Sequence, residues 1–161
     1  MLNLLGEYTC KLDNKGRMLF PARLRKQLES VIHAGLVLNR DIYSKCLVLY
    51  PEPEWTRIQQ DFNRLNRYNR EHLEFQRRFL NGATVLELDN AGRLSIPSKL
   101  LEYAEVDLTK SNELVLVGAF EKMELWSEAN HRKLFETNDQ GFADLADKVQ
   151  RDLGAMNQGN N

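Results

Sequence analysis

The sequence reads GEYTCKLDNKGRMLFPARL over residues 6–24 and GATVLELDNAGRLSIPSKL over residues 82–100. The two segments align without a gap at an offset of 76 residues, and 8 of their 19 positions are identical. The shared residues form one pattern, L-D-N-x-G-R-x-x-x-P, which is too dense to arise by chance. This internal repeat indicates that the chain contains two copies of one small module.

Each copy opens with alternating apolar residues on both sides of an Asp-Asn-x-Gly turn. Alternation of this kind predicts half-buried strands, and its parity places Lys11 on the outward side. Asp at the first turn position and Gly at the fourth fit a type I turn that is followed by a left-handed glycine. We therefore predict a β-hairpin in each copy, with turn residues Asp13 and Gly16 in the first and Asp89 and Gly92 in the second.

Further elements follow each hairpin in the same order. Pro21 and Pro97 suit the first turn of a short helix, and two more apolar runs and a longer helix come next. One copy alone would leave sheet edges exposed, and pairing two copies would cover them. The predicted fold is α+β, mainly β: an internally duplicated, double-split β-barrel with peripheral helices. We expect repeats at 6–80 and 82–153 and a disordered Gly/Asn-rich tail at 154–161.

Composition narrows the class of protein. The chain has 161 residues, a net charge of -1, 42% hydrophobic residues and 28% charged residues, which are ordinary values for a globular protein. No apolar run approaches the length of a membrane span and no signal peptide is evident, so a cytoplasmic location is expected. Cys10 and Cys46 lack metal-ligand spacing, so we expect core cysteines, no metal and no cofactor.

Positive charge is concentrated in the first copy. Residues 6–28 hold six basic and two acidic side chains, whereas residues 82–104 hold two basic and three acidic ones. An arginine at a hairpin tip can form two hydrogen bonds to a phosphate or to a guanine edge. The first copy is therefore predicted to face double-stranded DNA, with Arg93 contributing less. The candidate DNA-binding residues are Lys11, Lys15, Arg17, Arg23 and Arg25.

Two points stay open at the level of sequence. Asp13 and Asp89 could simply begin their turns and pair with their own arginines, Arg17 and Arg93. The arginine-rich helical stretch at 64–78 could be a solvated helix face with Glu71 and Glu74 as local partners, or it could contact DNA or another subunit.

The doubled Asp-x-x-x-Arg turns resemble the MraZ family of the AbrB-like swapped-hairpin superfamily, over residues 1 to about 153. The resemblance implies a ring-shaped homo-oligomer, an octamer or larger, associated with the nucleoid. It also implies binding to short direct repeats upstream of the division and cell-wall gene cluster, usually including the protein's own gene, and typically repression. The family signature maps onto Asp13 and Arg17 and onto Asp89 and Arg93, with the Arg/Asn-rich stretch at 63–70 as a departure.

Other classes of function have weaker support. No catalytic Ser/His/Asp set, phosphate-binding glycine loop or paired carboxylates stand out, so we expect neither an enzyme nor a small-molecule substrate. An AbrB-like protein-interaction module of the antitoxin type is the alternative. Such modules usually carry a long partner-binding tail, and the tail expected here has only eight residues.

Overall fold

The computed structural model describes residues 2–136 and 139–159. The strands are β1 (Glu7–Lys11), β2 (Arg17–Leu19), β3 (Leu36–Arg40), β4 (Leu47–Pro51), β5 (Thr84–Leu86), β6 (Arg93–Ser95), β7 (Glu113–Ala119) and β8 (Lys122–Ser127). The helices are α1 (Ala22–Gln27), α2 (Glu52–Phe62), α3 (Arg70–Leu80), α4 (Ser98–Tyr103), α5 (Glu128–Lys133) and α6 (Asp139–Gln158). Among the described residues, no helix combines the length and apolar character needed to span a bilayer.

The two copies exchange strands. A six-stranded antiparallel sheet has the order β1-β7-β8-β4-β3-β5, and β2 pairs with β6 in a two-stranded ribbon. The first strand of each copy thus pairs with the third strand of the other, as in the registers Tyr8↔Leu116 and Val37↔Val85. This arrangement confirms an α+β, mainly β fold in which each copy supplies a strand that pairs with a strand of the other copy. Closure of the two sheets into one barrel stays a prediction.

Both sheets share one core. Met18 and Leu94 of the ribbon pack in a single cluster with Leu38 and Leu116 of the larger sheet. Leu24 of α1 joins the same cluster, as does its counterpart Leu100 in α4. The opposite face of the larger sheet is covered in part by α2, where Trp55 and Ile58 pack on buried valines and Tyr50. Burial on both faces explains the continuous apolar sequence of β3 and β4.

The helical stretch after β4 is divided into two helices. Helix α2 ends at Phe62. Helix α3 begins at Arg70, because the side chain of Asn69 accepts hydrogen bonds from the amides of Glu71 and His72. Such N-capping satisfies donors that a helix start leaves unpaired. Phe62 and Phe79 hold the two helices together, with ring centroids 4.8 Å apart.

The described residues up to Asn130 form one compact unit, and those from His131 onward form a second. In the second unit, α6 runs to Gln158, so the disorder expected from Gly154 is wrong for residues 154–158. The reason is that Met156 continues the helical spacing of Leu145, Val149 and Leu153, which outweighs the low helix propensity of one glycine. Asn160 and Asn161, the end of the expected tail, lie outside the described residues.

Candidate nucleic-acid interface

The first hairpin turn is held by the side chain of Asp13. Its Oδ1 accepts hydrogen bonds from the amides of Lys15 and Arg17, each at 2.9 Å. The amide of Gly16 donates to the carbonyl oxygen of Asp13 at 3.1 Å, and Gly16 has a φ of 76°. A residue with a side chain is strained in this left-handed region. The predicted turn is therefore present, with its glycine where the backbone requires one.

The second turn repeats this geometry. Asp89 Oδ1 accepts from the amides of Ala91 and Arg93, each at 2.9 Å. Gly92 donates its amide to the carbonyl oxygen of Asp89 and has a φ of 78°. In backbone conformation and bonding, the two turns are equivalent despite the different charges of the two copies.

Each aspartate also pairs with the arginine of its own turn, which is the interpretation that the sequence left open. Arg17 Nε donates to Asp13 Oδ2 at 2.7 Å, and Arg93 Nε donates to Asp89 Oδ2 at 2.9 Å. The amide of the arginine, together with its guanidinium, holds the pKa of each aspartate below its usual range. Within the described residues, the terminal nitrogens of both guanidinium groups make no hydrogen bond. The turn thus fixes each arginine and leaves its bidentate edge available.

The ribbon of β2 and β6 places both arginines on one face. Arg17 lies opposite Ser95, and Leu19 lies opposite Arg93. Because side chains alternate along a strand, these four share the outward face, while the core-facing Met18 and Leu94 are 1% and 0% exposed. Arg17 and Arg93 are diagonal neighbours, and diagonal Cα atoms lie about 7–8 Å apart across an antiparallel pair. The two signatures therefore lie side by side on one outward face of the ribbon.

Basic residues of the first copy lie beside the turn of the second. A surface groove of about 650 Å³ is lined in part by Lys11, Arg25, Ala91 and Gly92. A methyl group placed on Gly92 would lie 3.0 Å from Nη1 of Arg25. At the first turn, the equivalent neighbour of Gly16 is the apolar Leu101, 3.9 Å away. Because the two copies interlock, part of the positive charge predicted for the first copy lies near Arg93 of the second.

The remaining predicted residues are placed as follows. Lys15 is exposed at the tip of the first turn. Arg23 is exposed on α1, but it is not among the residues that line the groove with Arg25. Leu19 and Ser95, the outward neighbours of the two arginines, are not evident from the sequence. Strand parity supplies this information only once the pairing of β2 with β6 is known.

The arginine-rich stretch at 64–78 has the features of a solvated surface. Arg78 pairs with Glu74 of the same helix at 2.8 Å, and Arg64 lies 3.7 Å from Asp61. These arginine side chains are 81% and 83% exposed, so their ion pairs contribute little to stability. Glu74 is confirmed as a helix-local partner.

Comparison with known proteins gives one family. The family model described as "MraZ protein, putative antitoxin-like" matches residues 3–78 and again residues 79–153. A protein of Christiangramia forsetii named "Transcriptional regulator MraZ" is 38% identical over 149 residues, which cover 92% of this chain and 94% of the relative. The protein of that name from Flavobacterium psychrophilum is 38% identical, with 92% of each chain covered. The one from Cytophaga hutchinsonii is 36% identical over 143 residues, or 89% of this chain and 91% of the relative.

Proposed function

The chain belongs to the MraZ family, and on that basis we propose that it is a sequence-specific DNA-binding transcriptional regulator. Its relatives are named as transcriptional regulators and not as enzymes, which confirms the expectation that the protein is not an enzyme. The DNA-binding proposal is supported chiefly by one observation: Arg17 and Arg93 share the outward face of the two-stranded ribbon.

A ribbon of this kind has the right dimensions for its proposed target. The major groove of B-DNA is about 12 Å wide and admits a two-stranded β-ribbon. Arginines presented on such a ribbon can engage guanine O6 and N7 through two hydrogen bonds, or a phosphate through the same edge. Asp13 and Asp89 bind only Nε, so they orient the guanidinium groups without occupying that edge.

Local charge supports the same face despite the net charge of -1. The cations at the ribbon and in the adjoining groove are Lys11, Lys15, Arg17, Arg25 and Arg93. Each phosphate neutralised changes the slope of log K against log salt by about -0.9. If all five cations met phosphates, the slope would be about -4.5 for each bound chain. We propose that Arg93 contacts DNA to the same extent as Arg17, whereas the sequence alone favoured Arg17.

One ribbon makes a small contact, so high affinity requires several chains acting together. We propose that the protein assembles into a ring-shaped homo-oligomer of eight or more chains, and that the ring binds short direct repeats. The proposed target lies upstream of the division and cell-wall gene cluster, including the protein's own gene, and the proposed outcome is repression. The protein would accordingly be cytoplasmic and associated with the nucleoid. Light scattering on the purified full chain tests the assembly.

A gel-shift titration with DNA from upstream of the protein's own gene tests the DNA-binding proposal. Arg17→Ala and Arg93→Ala should each weaken binding about 5- to 150-fold, the range for loss of a base-reading arginine. Arg64→Ala is the matched control, because it removes an exposed arginine from the helical stretch and should leave binding unchanged. Fragments shortened to a single repeat should bind more weakly than fragments with two or more. Full binding by both ribbon variants would refute the assignment of this face.

The alternative is an antitoxin-type protein-interaction module, which the words "putative antitoxin-like" in the description of the matching family favour. It predicts that the oligomer binds upstream DNA no better than unrelated DNA of the same length. The two functions therefore differ in the ratio of specific to non-specific affinity, which the same titration measures when an unrelated fragment competes.

A further inference from the structure

Three metal-ligating side chains meet on the outer face of the larger sheet, away from the ribbon. Asp41 directly follows β3 and Cys46 directly precedes β4, and the amide of Asp41 donates to the carbonyl oxygen of Cys46 at 3.0 Å. Glu124 on β8 lies opposite Val48, so it is a diagonal neighbour of Cys46. One carboxylate oxygen of each acid and the Sγ of Cys46 all lie within 4.8 Å of one another.

The thiol of Cys46 is a second, independent feature of this place. Cys46 is 0% exposed and packs beside Val115 and Trp126, and its Sγ lies within 4.8 Å of an oxygen of both carboxylates. Within the described part of the chain, the thiol makes no hydrogen bond. Burial, together with the charges of Asp41 and Glu124, raises the pKa of the thiol to about 12. The buried sulfur therefore lies beside two carboxylates and, among the described residues, has no hydrogen-bond partner.

We propose that Asp41, Cys46 and Glu124 form a binding site for a thiophilic divalent metal ion, with Zn²⁺ as the best fit. Zinc takes thiolate sulfur at about 2.3 Å and carboxylate oxygen at about 2.0–2.2 Å in a tetrahedral arrangement. Those bond lengths place ligand atoms about 3.3–3.8 Å apart. The three side chains are therefore within about 1.5 Å of the required spacing, which carboxylate rotations can close. A water molecule would complete the four ligands.

One of the carboxylates is already held in position. Oδ2 of Asp41 accepts hydrogen bonds from the amides of Tyr43 and Ser44, at 3.0 and 2.8 Å. The hydroxyl of Tyr103 donates to the backbone oxygen of Asp41 at 2.7 Å, which fixes the same turn from α4. Orientation of a ligating carboxylate by such hydrogen bonds is usual around protein metal sites. Oδ1 of Asp41 is left to meet the ion.

Charge and proton balance set the behaviour of the site. The ion displaces the thiol proton of Cys46, the S–H bond breaks, a metal–sulfur bond forms and one proton goes to solvent. Lys122, on the same strand as Glu124, contributes a positive charge that favours the thiolate. Its charge competes with the incoming ion, so ligation by sulfur and not by charge alone sets the preference for zinc over magnesium or calcium. Binding of the metal ion would link the turn between β3 and β4 to strand β8.

Titration of the untagged full-length oligomer with Zn²⁺, and with Co²⁺ as a spectroscopic probe, tests the site. We expect one ion per chain, a rise in the thermal midpoint, and a thiolate-to-cobalt charge-transfer band. Cys46→Ser should abolish the band, while Asp41→Asn and Glu124→Gln should weaken binding at least about tenfold. Cys10→Ser is the matched control, since that cysteine is also buried but packs in the core cluster that holds Met18 and Leu94, apart from Cys46.

Each outcome decides the matter. A charge-transfer band that persists in Cys46→Ser, or that disappears in Cys10→Ser, would overturn the assignment. A wild-type protein that shows no charge-transfer band and no stabilisation at millimolar Zn²⁺ would overturn it as well. If Cys46→Ser fails to fold, the two carboxylate variants decide: unchanged cobalt affinity in both contradicts the proposal. DNA binding is measured separately, so failure of the metal site leaves the proposed function intact.

Discussion

Replacing the turn glycines by alanine probes the interlocking of the two copies, because the two sites differ in what surrounds them. Both glycines have φ near +77°, where an alanine costs about 1–2 kcal/mol. A methyl group on Gly16 would also lie 3.1 Å from the backbone oxygen of Ile96. The amide of Ile96 donates to the carbonyl oxygen of Gly16 at 2.8 Å, so a shift there weakens a hydrogen bond worth about 1 kcal/mol.

The expected loss is therefore about 2–3 kcal/mol for Gly16→Ala and about 1–2 kcal/mol for Gly92→Ala. At the second turn, the neighbouring atom is the end of the flexible Arg25 side chain, which can move aside. For a chain of this size, 1 kcal/mol shifts the thermal midpoint by about 2–4 °C. Thermal unfolding at equal protein concentration should rank wild type, Gly92→Ala and Gly16→Ala in descending order. A Gly16→Ala midpoint equal to or above that of Gly92→Ala would refute the contact between the copies.

Three further predictions follow from single contacts. Leu94→Ala, on the buried side of the ribbon, should lower the free energy of unfolding by about 2–5 kcal/mol, while Leu19→Ala, which is 65% exposed, should change it by no more than about 0.5 kcal/mol; equal denaturation midpoints would contradict the assigned faces. The lowered pKa of Asp13 means that its contribution is present above the usual aspartate pKa of about 3.9 and is lost as the pH falls through the folded value. Wild type should therefore lose thermal stability more steeply in acid than Asp13→Asn, and parallel pH profiles would rule this out. Asn69→Ala should cost about 1 kcal/mol through loss of the α3 cap, and undiminished amide protection in Glu71 and His72 would argue against it.

Local chemistry explains what the sequence could predict. The hydrogen bonds of each turn join residues no more than four positions apart, as at Asp13 and Gly16 and at their counterparts. The sequence can therefore predict the geometry of both turns. The break between α2 and α3 is equally local, because Asn69 bonds to amides two and three residues ahead. The helix at residues 154–158 follows the apolar spacing of α6, which the Gly/Asn-rich composition of that segment does not indicate.

Strand partners explain what the sequence could not predict. Counting charges by copy assigns Lys11 and Arg25 to the first signature, but strand exchange sets them beside Gly92 of the second. Nothing local in either copy encodes which strand of the other lies alongside. The cluster of Asp41, Cys46 and Glu124 is hidden in the sequence for the same reason: Asp41 follows β3, Cys46 precedes β4 and Glu124 lies in β8, with no ligand spacing along the chain.

The salt dependence of DNA binding by the double variant Arg17→Ala/Arg93→Ala tests the central claim most directly. Fluorescence anisotropy with the upstream DNA, over a series of salt concentrations, gives the slope of log K against log salt for wild type, the double variant and Arg64→Ala. If both ribbon arginines meet phosphates, the double variant should flatten the slope by about 1.8 for each bound chain. If they read bases, it should lose discrimination between specific and unrelated DNA instead. A double variant that keeps both the slope and the specificity of wild type and of Arg64→Ala would show that the ribbon does not bind DNA.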